Sequence, residues 1–253
     1  MPDLNWLART GTAPVWSAQD GVAPLRQIMG DVDVVLCLAG ATPRAGLAFA
    51  LNTDIARMVL MAAEAGTHVF LASTMAVYGG GPGPHREDGP CVPAGDYGRS
   101  KLAMEQAARK LADGSGVGLT SLRLGNIVGG DMLFANIAAG RAITLDRFAD
   151  GATPARSYLD PATLGEALAG VFGMARAGAG LPPVLNLATD PPVEMAKLLD
   201  AAGVPYATRP APDGARRSIA MDVSRAQALI PTLGAPRDAA ALVAAWRRVQ
   251  AAP

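Results

Sequence analysis

Leu71-Ala72-Ser73-Thr74-Met75-Ala76-Val77-Tyr78-Gly79, followed downstream by Tyr97-Gly98-Arg99-Ser100-Lys101, is the stretch that decides the fold. A tyrosine and a lysine four residues apart lie on one face of a helix, one turn from each other. The pair Ser73-Thr74 ends an apolar run, where a strand delivers its last residues to a loop. A free phenol titrates near pH ~10, too high for a base at neutral pH, and a nearby ammonium lowers that value. Phenol, ammonium and hydroxyl together are parts for moving a proton alongside a hydride.

Working outward, strand-like apolar runs alternate with helix-like segments, the pattern of a parallel sheet flanked by helices. Short strands are expected over 5–8 and at Val15-Trp16, and a helix over Val22 to Met29 capped by Asp20. Val32 to Leu38 is nearly continuous Val and Leu, as in a strand buried on both faces. Leu47 to Ala65 has helical periodicity and stops at Gly66. Strands follow at His68 to Ala72, Leu119 to Leu124 and Val184 to Leu187, with a helix from Tyr97 to Ala112. The Gly- and Pro-dense residues 79–96 read as a loop. Beyond Gly129 the alternation weakens: helices are expected over 132–139, 164–175, 193–202 and 238–250, with loops at 189–192 and 205–213.

Half of the 253 residues are apolar and 17% are charged, enough to bury a sizeable core. Lys+Arg and Asp+Glu are both 22, with no long basic run, which argues against a nucleic-acid surface. Cys37 and Cys91 lack metal-ligand spacing and read as reduced thiols. No signal peptide and no uninterrupted apolar run of spanning length is visible, so a soluble cytoplasmic protein without a metal site is expected.

With these residues in order, the chain resembles the extended short-chain dehydrogenase/reductase family, of the NAD-dependent epimerase/dehydratase type. Asp31 to Gly40 is similar to the family's fourth strand, whose Ala39-Gly40 end backs the cofactor. Asn52 matches an asparagine of the following helix, more often a tie to a neighbouring strand than a ligand contact. Ser73-Thr74 with Val77-Tyr78-Gly79 resembles the fifth strand, Thr74 taking the catalytic position. Leu122 to Gly129 resembles the sixth strand with Asn126 facing substrate. Arg156-Ser157-Tyr158-Leu159-Asp160 resembles a stretch whose arginine contacts a substrate phosphate. On plainer readings, Ala39-Gly40 is an ordinary turn, Asn126 satisfies backbone groups, and Arg156 and Arg216-Arg217 are solvated charges.

The resemblance implies an α/β, Rossmann-like doubly wound parallel sheet (residues 1–128 and 154–188) with a small C-terminal substrate lid (129–153 and 189–253). It implies NAD or NADP held by Arg9, Asp20, Ala39, Gly40, Ser73, Tyr97 and Lys101, the lysine reaching the cofactor ribose. Tyr97, Lys101 and Thr74 are then catalytic, Thr74, Asn126 and Arg156 touch the small-molecule substrate, and copies pair as a homodimer through the helices at 47–65 and 97–112. The family's opening glycine-rich turn has no match here, Thr10-Gly11 lacking further glycines at the needed offsets. One βα unit of roughly 30 residues is therefore expected to be missing from the front. Arg9, at the end of a strand over 5–9, suggests the 2′-phosphate of NADP. The activity implied is redox chemistry at a hydroxyl or carbonyl carbon, of a sugar or nucleotide sugar. The alternatives are an NADPH-dependent reductase of a small carbonyl compound and a non-catalytic nucleotide-sensing protein.

Overall fold

Three apolar runs and a fourth shorter one line up as a parallel sheet. In the computed structural model, which describes residues 14–43, 45–81, 83–235 and 237–251, these are β1 (Val34–Cys37), β2 (His68–Thr74), β3 (Gly118–Leu124) and, later in the chain, a strand at Val184–Leu187. They pair in that order, β2 and β3 in register from His68↔Gly118 to Thr74↔Leu124. Arg9, Thr10-Gly11 and the strand expected over 5–9 lie outside the described residues.

Alternation along β2 explains the layers. Val69 and Leu71 face one cluster, with α1 (Val22–Met29), α2 (Leu51–Ala62) and α3 (Asp96–Ala112). Phe70 faces the other way into a second cluster, with Leu122, Leu185 and Val171. Each of these fully buried side chains contributes about 1.5–3 kcal/mol of transfer free energy. Helices on both faces make the sheet doubly wound, the expected fold class.

After β3 come β4 (Asn126–Ile127), α4 (Met132–Ala138), β5 (Thr144–Arg147), β6 (Ala155–Arg156), β7 (Tyr158–Leu159) and α5 (Pro161–Arg176). With Val184–Leu187 as β8, the remainder is β9 (Val193–Glu194), α6 (Met195–Ala202), β10 (Ala207–Pro210), β11 (Ser218–Ile219), α7 (Ser224–Leu229) and α8 (Ala239–Gln250). A third cluster joins Leu133 and Phe134 of α4 to Leu198 and Leu199 of α6 and Leu242 and Val243 of α8. Ala226 of α7 instead packs with α5 and β8 on the sheet.

Several local expectations are corrected. Asp20 does not cap α1, whose N-cap is Gly21. Its carboxylate turns back to accept from Ser17 N at 2.6 Å and Ser17 Oγ at 2.9 Å, closing the turn Ala18–Asp20. β1 is shorter than 32–38 and its first three residues are only partly buried, because it lies at the edge of the described sheet. α2 starts at Leu51, after turns, and gives way at Ala63 to extended backbone before Gly66 is reached. The loop expected at 205–213 contains β10, which pairs in parallel with β5. All four β10 residues are exposed, so no apolar alternation marks the strand. Among the described residues no helix is long and apolar enough to cross a membrane.

Candidate active site

The carboxyl ends of β1 and β2 carry the candidate chemistry. Thr74 ends β2, and its Oγ1 accepts from Ala76 N at 3.2 Å, starting the single helical turn Met75–Val77. α3 abuts that turn because residue 98 is glycine: a Cβ there would stand 2.5 Å from the Ala76 carbonyl oxygen. This close approach sets the Tyr97 phenol against the Thr74 hydroxyl. Burial raises the Tyr97 pKa, and the neighbouring Thr74 hydroxyl partly offsets the rise.

Lys101 shares the helix but not the phenol's surroundings. Its ammonium donates to the Ala72 carbonyl at 2.8 Å and is 5% exposed. Burial lowers its pKa, while Cys37 and Glu105 pull it up. The groups acting on Tyr97 are burial and Thr74, so the expected depression of the phenol by the Lys101 ammonium is not seen. The Ala72 carbonyl, two residues before the end of β2, draws the charge towards the sheet.

Asn52 ties α2 to the turn after β1, accepting from Ala41 N at 2.9 Å and donating to Ala41 O at 3.2 Å and Ser100 Oγ at 3.0 Å. A Cβ on Gly40 would lie 2.4 Å from Asn52 Oδ1 and 3.4 Å from Lys101 Nζ. Ala39, Gly40, Thr74, Tyr97 and Lys101 thus gather at one edge of the sheet. Two expected cofactor contacts do not join them. Asp20, exposed, bonds Ser17 through Oδ2 on the turn before α1, and Ser73, 4% exposed, donates its hydroxyl to Glu105. Successive strand residues point to opposite faces, so Ser73 and Thr74 cannot both serve the same ligand side.

Glu105 belongs to a buried network unforeseen in the sequence. Arg123 Nη2 meets Glu105 Oε2 at 2.7 Å, and Arg123 Nη1 reaches Tyr78 Oη at 3.0 Å and the Glu87 carbonyl at 3.2 Å. Tyr78 donates to Asn186 Oδ1 at 2.7 Å, and its ring stacks on His85. Burial drives the Tyr78 pKa up to about 12. The legible signal was Glu105 one turn beyond Lys101 on the same face, facing an arginine inside the apolar run Leu122-Arg123-Leu124.

The remaining candidate residues sit on or beside the shorter strands. Asn126 Nδ2 donates to Asp131 Oδ2 at 2.9 Å. The Arg156 guanidinium donates to the carbonyls of Ala155 at 2.7 Å and Arg216 at 3.3 Å, and burial lowers its pKa. Arg216 rests over Gly80, where a Cβ would come 2.8 Å from its Nη1. Gly80, Gly81, Pro84, Arg216, Arg217 and Ser218 border a cleft of about 600 Å³. Arg217 is ion-paired with Asp150, and Arg216 has no carboxylate partner among the described residues. Among those residues no His, Cys, Asp and Glu group of metal-binding type occurs.

A doubly wound parallel sheet with a hydroxyl and a tyrosine at its carboxyl edge defines a Rossmann-like protein of the short-chain dehydrogenase/reductase class. The chain belongs to the NAD dependent epimerase/dehydratase family, which residues 22–152 match. It is 31% identical over 144 residues to dTDP-6-deoxy-L-talose 4-dehydrogenase (NAD(P)(+)) of Kitasatospora kifunensis. That match takes in 51% of this chain and 44% of the relative, so the chain spans less than half of the curated relative's length. Its fold is similar to that of MoeE5 in complex with UDP-glucose and NAD, with TM-score 0.76 and 20% identity over 97% of this chain and 90% of that one. It is also similar to UDP-glucose-4-epimerase from Stenotrophomonas maltophila with bound NAD and formylated UDP-arabinopyranose, with TM-score 0.72 and 22% identity over 95% and 84% of the two chains.

Proposed function

We propose that this protein is an NAD(P)-dependent enzyme of the epimerase/dehydratase type acting on a hydroxyl-bearing carbon of a nucleotide sugar, with Tyr97 as the acid/base. The observation that carries the reading is the approach of α3 at Gly98 to the turn after Thr74, which brings the start of that helix, with Tyr97, to the end of β2. Residues 1–128 and 154–188 form the nucleotide-binding part in this reading, and 129–153 and 189–253 the substrate cap. Ala39, Gly40 and Lys101 would hold the dinucleotide, since a side chain on Gly40 would fill the space beside Asn52 and Lys101. Arg9 favours NADP over NAD. When bound, the nicotinamide supplies the hydride acceptor and donor.

Thr74 hydrogen-bonds the reacting hydroxyl and holds it against Tyr97. Tyr97 takes the hydroxyl proton and returns one when the carbonyl is reduced. Because burial disfavours its phenolate, this step needs positive charge nearby, which a Lys101 drawn away from the Ala72 carbonyl supplies. Asn126 meets a sugar hydroxyl, and Arg156 and Arg216 meet the diphosphate. The arginine-lined cleft favours this reading over a reductase of small uncharged carbonyl compounds.

Calorimetry with NADH and NADPH, followed by turnover assays on UDP- and dTDP-hexoses, tests the proposal. Tyr97→Phe should lower kcat by about 10²–10⁴-fold and leave cofactor affinity in place. Unchanged turnover would remove Tyr97 from the mechanism. Pairing of two copies through α2 and α3 is the accompanying expectation, and a monomer by light scattering at micromolar concentration contradicts it.

A further inference from the structure

The segment from Asn126 to Asp131 folds back on itself at the start of the cap. Asn126 Nδ2 donates to Asp131 Oδ2 at 2.9 Å, while Asp131 Oδ1 accepts from Phe134 N at 3.0 Å and caps α4. Among the described residues no protein donor reaches Asn126 Oδ1. Tyr158, fully buried on β7, brings its phenol beside both side chains without a well-formed hydrogen bond. Burial raises the Asp131 carboxyl, and its bonds from Phe134 and Asn126 oppose the rise.

A side-chain amide has a donor end and an acceptor end of nearly equal shape, so packing alone does not choose between its two orientations. An ionised carboxylate accepts only, and therefore makes that choice. We propose that Asp131 is a positioning residue that sets the hydrogen-bond polarity of Asn126. It holds Nδ2 inward and leaves Oδ1 as the acceptor for a hydroxyl of the substrate. The cap then selects a sugar bearing a free hydroxyl at that position over one bearing a carbonyl or ether oxygen there. The substrate half of this inference rests on the nucleotide-sugar reading, whereas the amide's orientation does not.

Asp131→Asn separates polarity from folding. Asparagine caps a helix as well as aspartate does, so α4 keeps its start. The new amide, however, aims a donor at Asn126, which must turn over and show its own NH₂ to the substrate. A hydroxyl can turn to accept from that NH₂, so by calorimetry UDP-glucose and dTDP-glucose should bind NAD-saturated Asp131→Asn within about threefold of the wild type. Among UDP-hexoses carrying a methoxy group at a single ring position, the one the wild type rejects about 10- to 100-fold should bind Asp131→Asn as well as UDP-glucose does. NAD affinity and Tm should not change. The double variant Asn126→Asp/Asp131→Asn swaps the two partners and returns an acceptor to the substrate, and its rejection of the methoxy sugar should return to within about threefold of the wild type's. Undiminished rejection of that sugar in Asp131→Asn, or failure of the double variant to restore it, overturns the inference. If neither sugar nucleotide binds the wild type, the nucleotide-sugar reading falls instead. Nitrogen-15 NMR of the Asn126 side-chain amide then decides the orientation: protons that exchange as slowly in Asp131→Asn as in the wild type refute it.

Discussion

The two sets of candidate residues stand on different material. On the sheet side, Thr74, Tyr97 and Lys101 ride on a seven-residue strand and a seventeen-residue helix, pinned together at Gly98 and by the buried Glu105–Arg123 pair. Asn126 and Arg156, by contrast, sit on two-residue strands, and Arg216 on a loop ahead of another. Those strands exist only because distant segments meet, as where Ala155-Arg156 pairs with β9 on one side and β11 on the other. The residues proposed for the chemical step thus stand on long, regularly hydrogen-bonded elements. Those proposed to meet the substrate stand on short elements that tertiary packing creates, where substitution costs the fold less.

That contrast can be broken by substitution. Arg123→Ala leaves Glu105 charged, buried and unpaired, and should cost about 3–5 kcal/mol in urea denaturation. A loss below about 1 kcal/mol would mean the sheet side does not depend on this pair. Gly98→Ala comes next. Helix propensity alone favours alanine by about 1 kcal/mol. The clash with the Ala76 carbonyl should reverse that sign and leave the protein about 1–3 kcal/mol less stable. A stabilised variant would show that α3 can shift away from the turn without loss. On the cap side, Arg216→Ala should weaken UDP binding about tenfold through one lost charge-assisted contact while Tm stays put. A fall in Tm with unchanged UDP affinity would give Arg216 a purely structural part.

The smallest effect is with pH. Burial lowers the pKa values of His68 and His85 from the ordinary 6.5. The unfolded chain therefore takes up protons first as pH falls, and the stability present above pH ~6.5 drains away down to the folded values. His68→Gln should flatten that decline in melts recorded between pH ~7 and ~5, if the sheet-side histidine carries it. An unaltered slope would assign it to His85, under the loop that leads towards the cap.

Legibility followed the same division. The helix over Val22–Met29 and the strand Val184–Leu187 were readable to the residue, and α3 to within one, since periodicity is a local property. The Ser73 partner was not legible, because a side chain's contacts depend on what packs behind it, here Glu105. The expectation for Lys101 failed in one respect: helix spacing places it near Tyr97, but the Ala72 carbonyl sets where its ammonium goes. β10 was hidden because an exposed strand of four residues carries no hydrophobic pattern.

By itself, then, the sequence determined the family, the doubly wound sheet and the grouping of Thr74, Tyr97 and Lys101. All of these follow from spacings within an element or between an element and the next. Only the tertiary structure decided that Ser73 turns to Glu105, that Glu105 and Arg123 meet, and that the Arg156 guanidinium meets the Arg216 carbonyl. Those outcomes depend on contacts between residues tens of positions apart, and a hydrogen bond or an ion pair leaves no period in the chain that announces its partner.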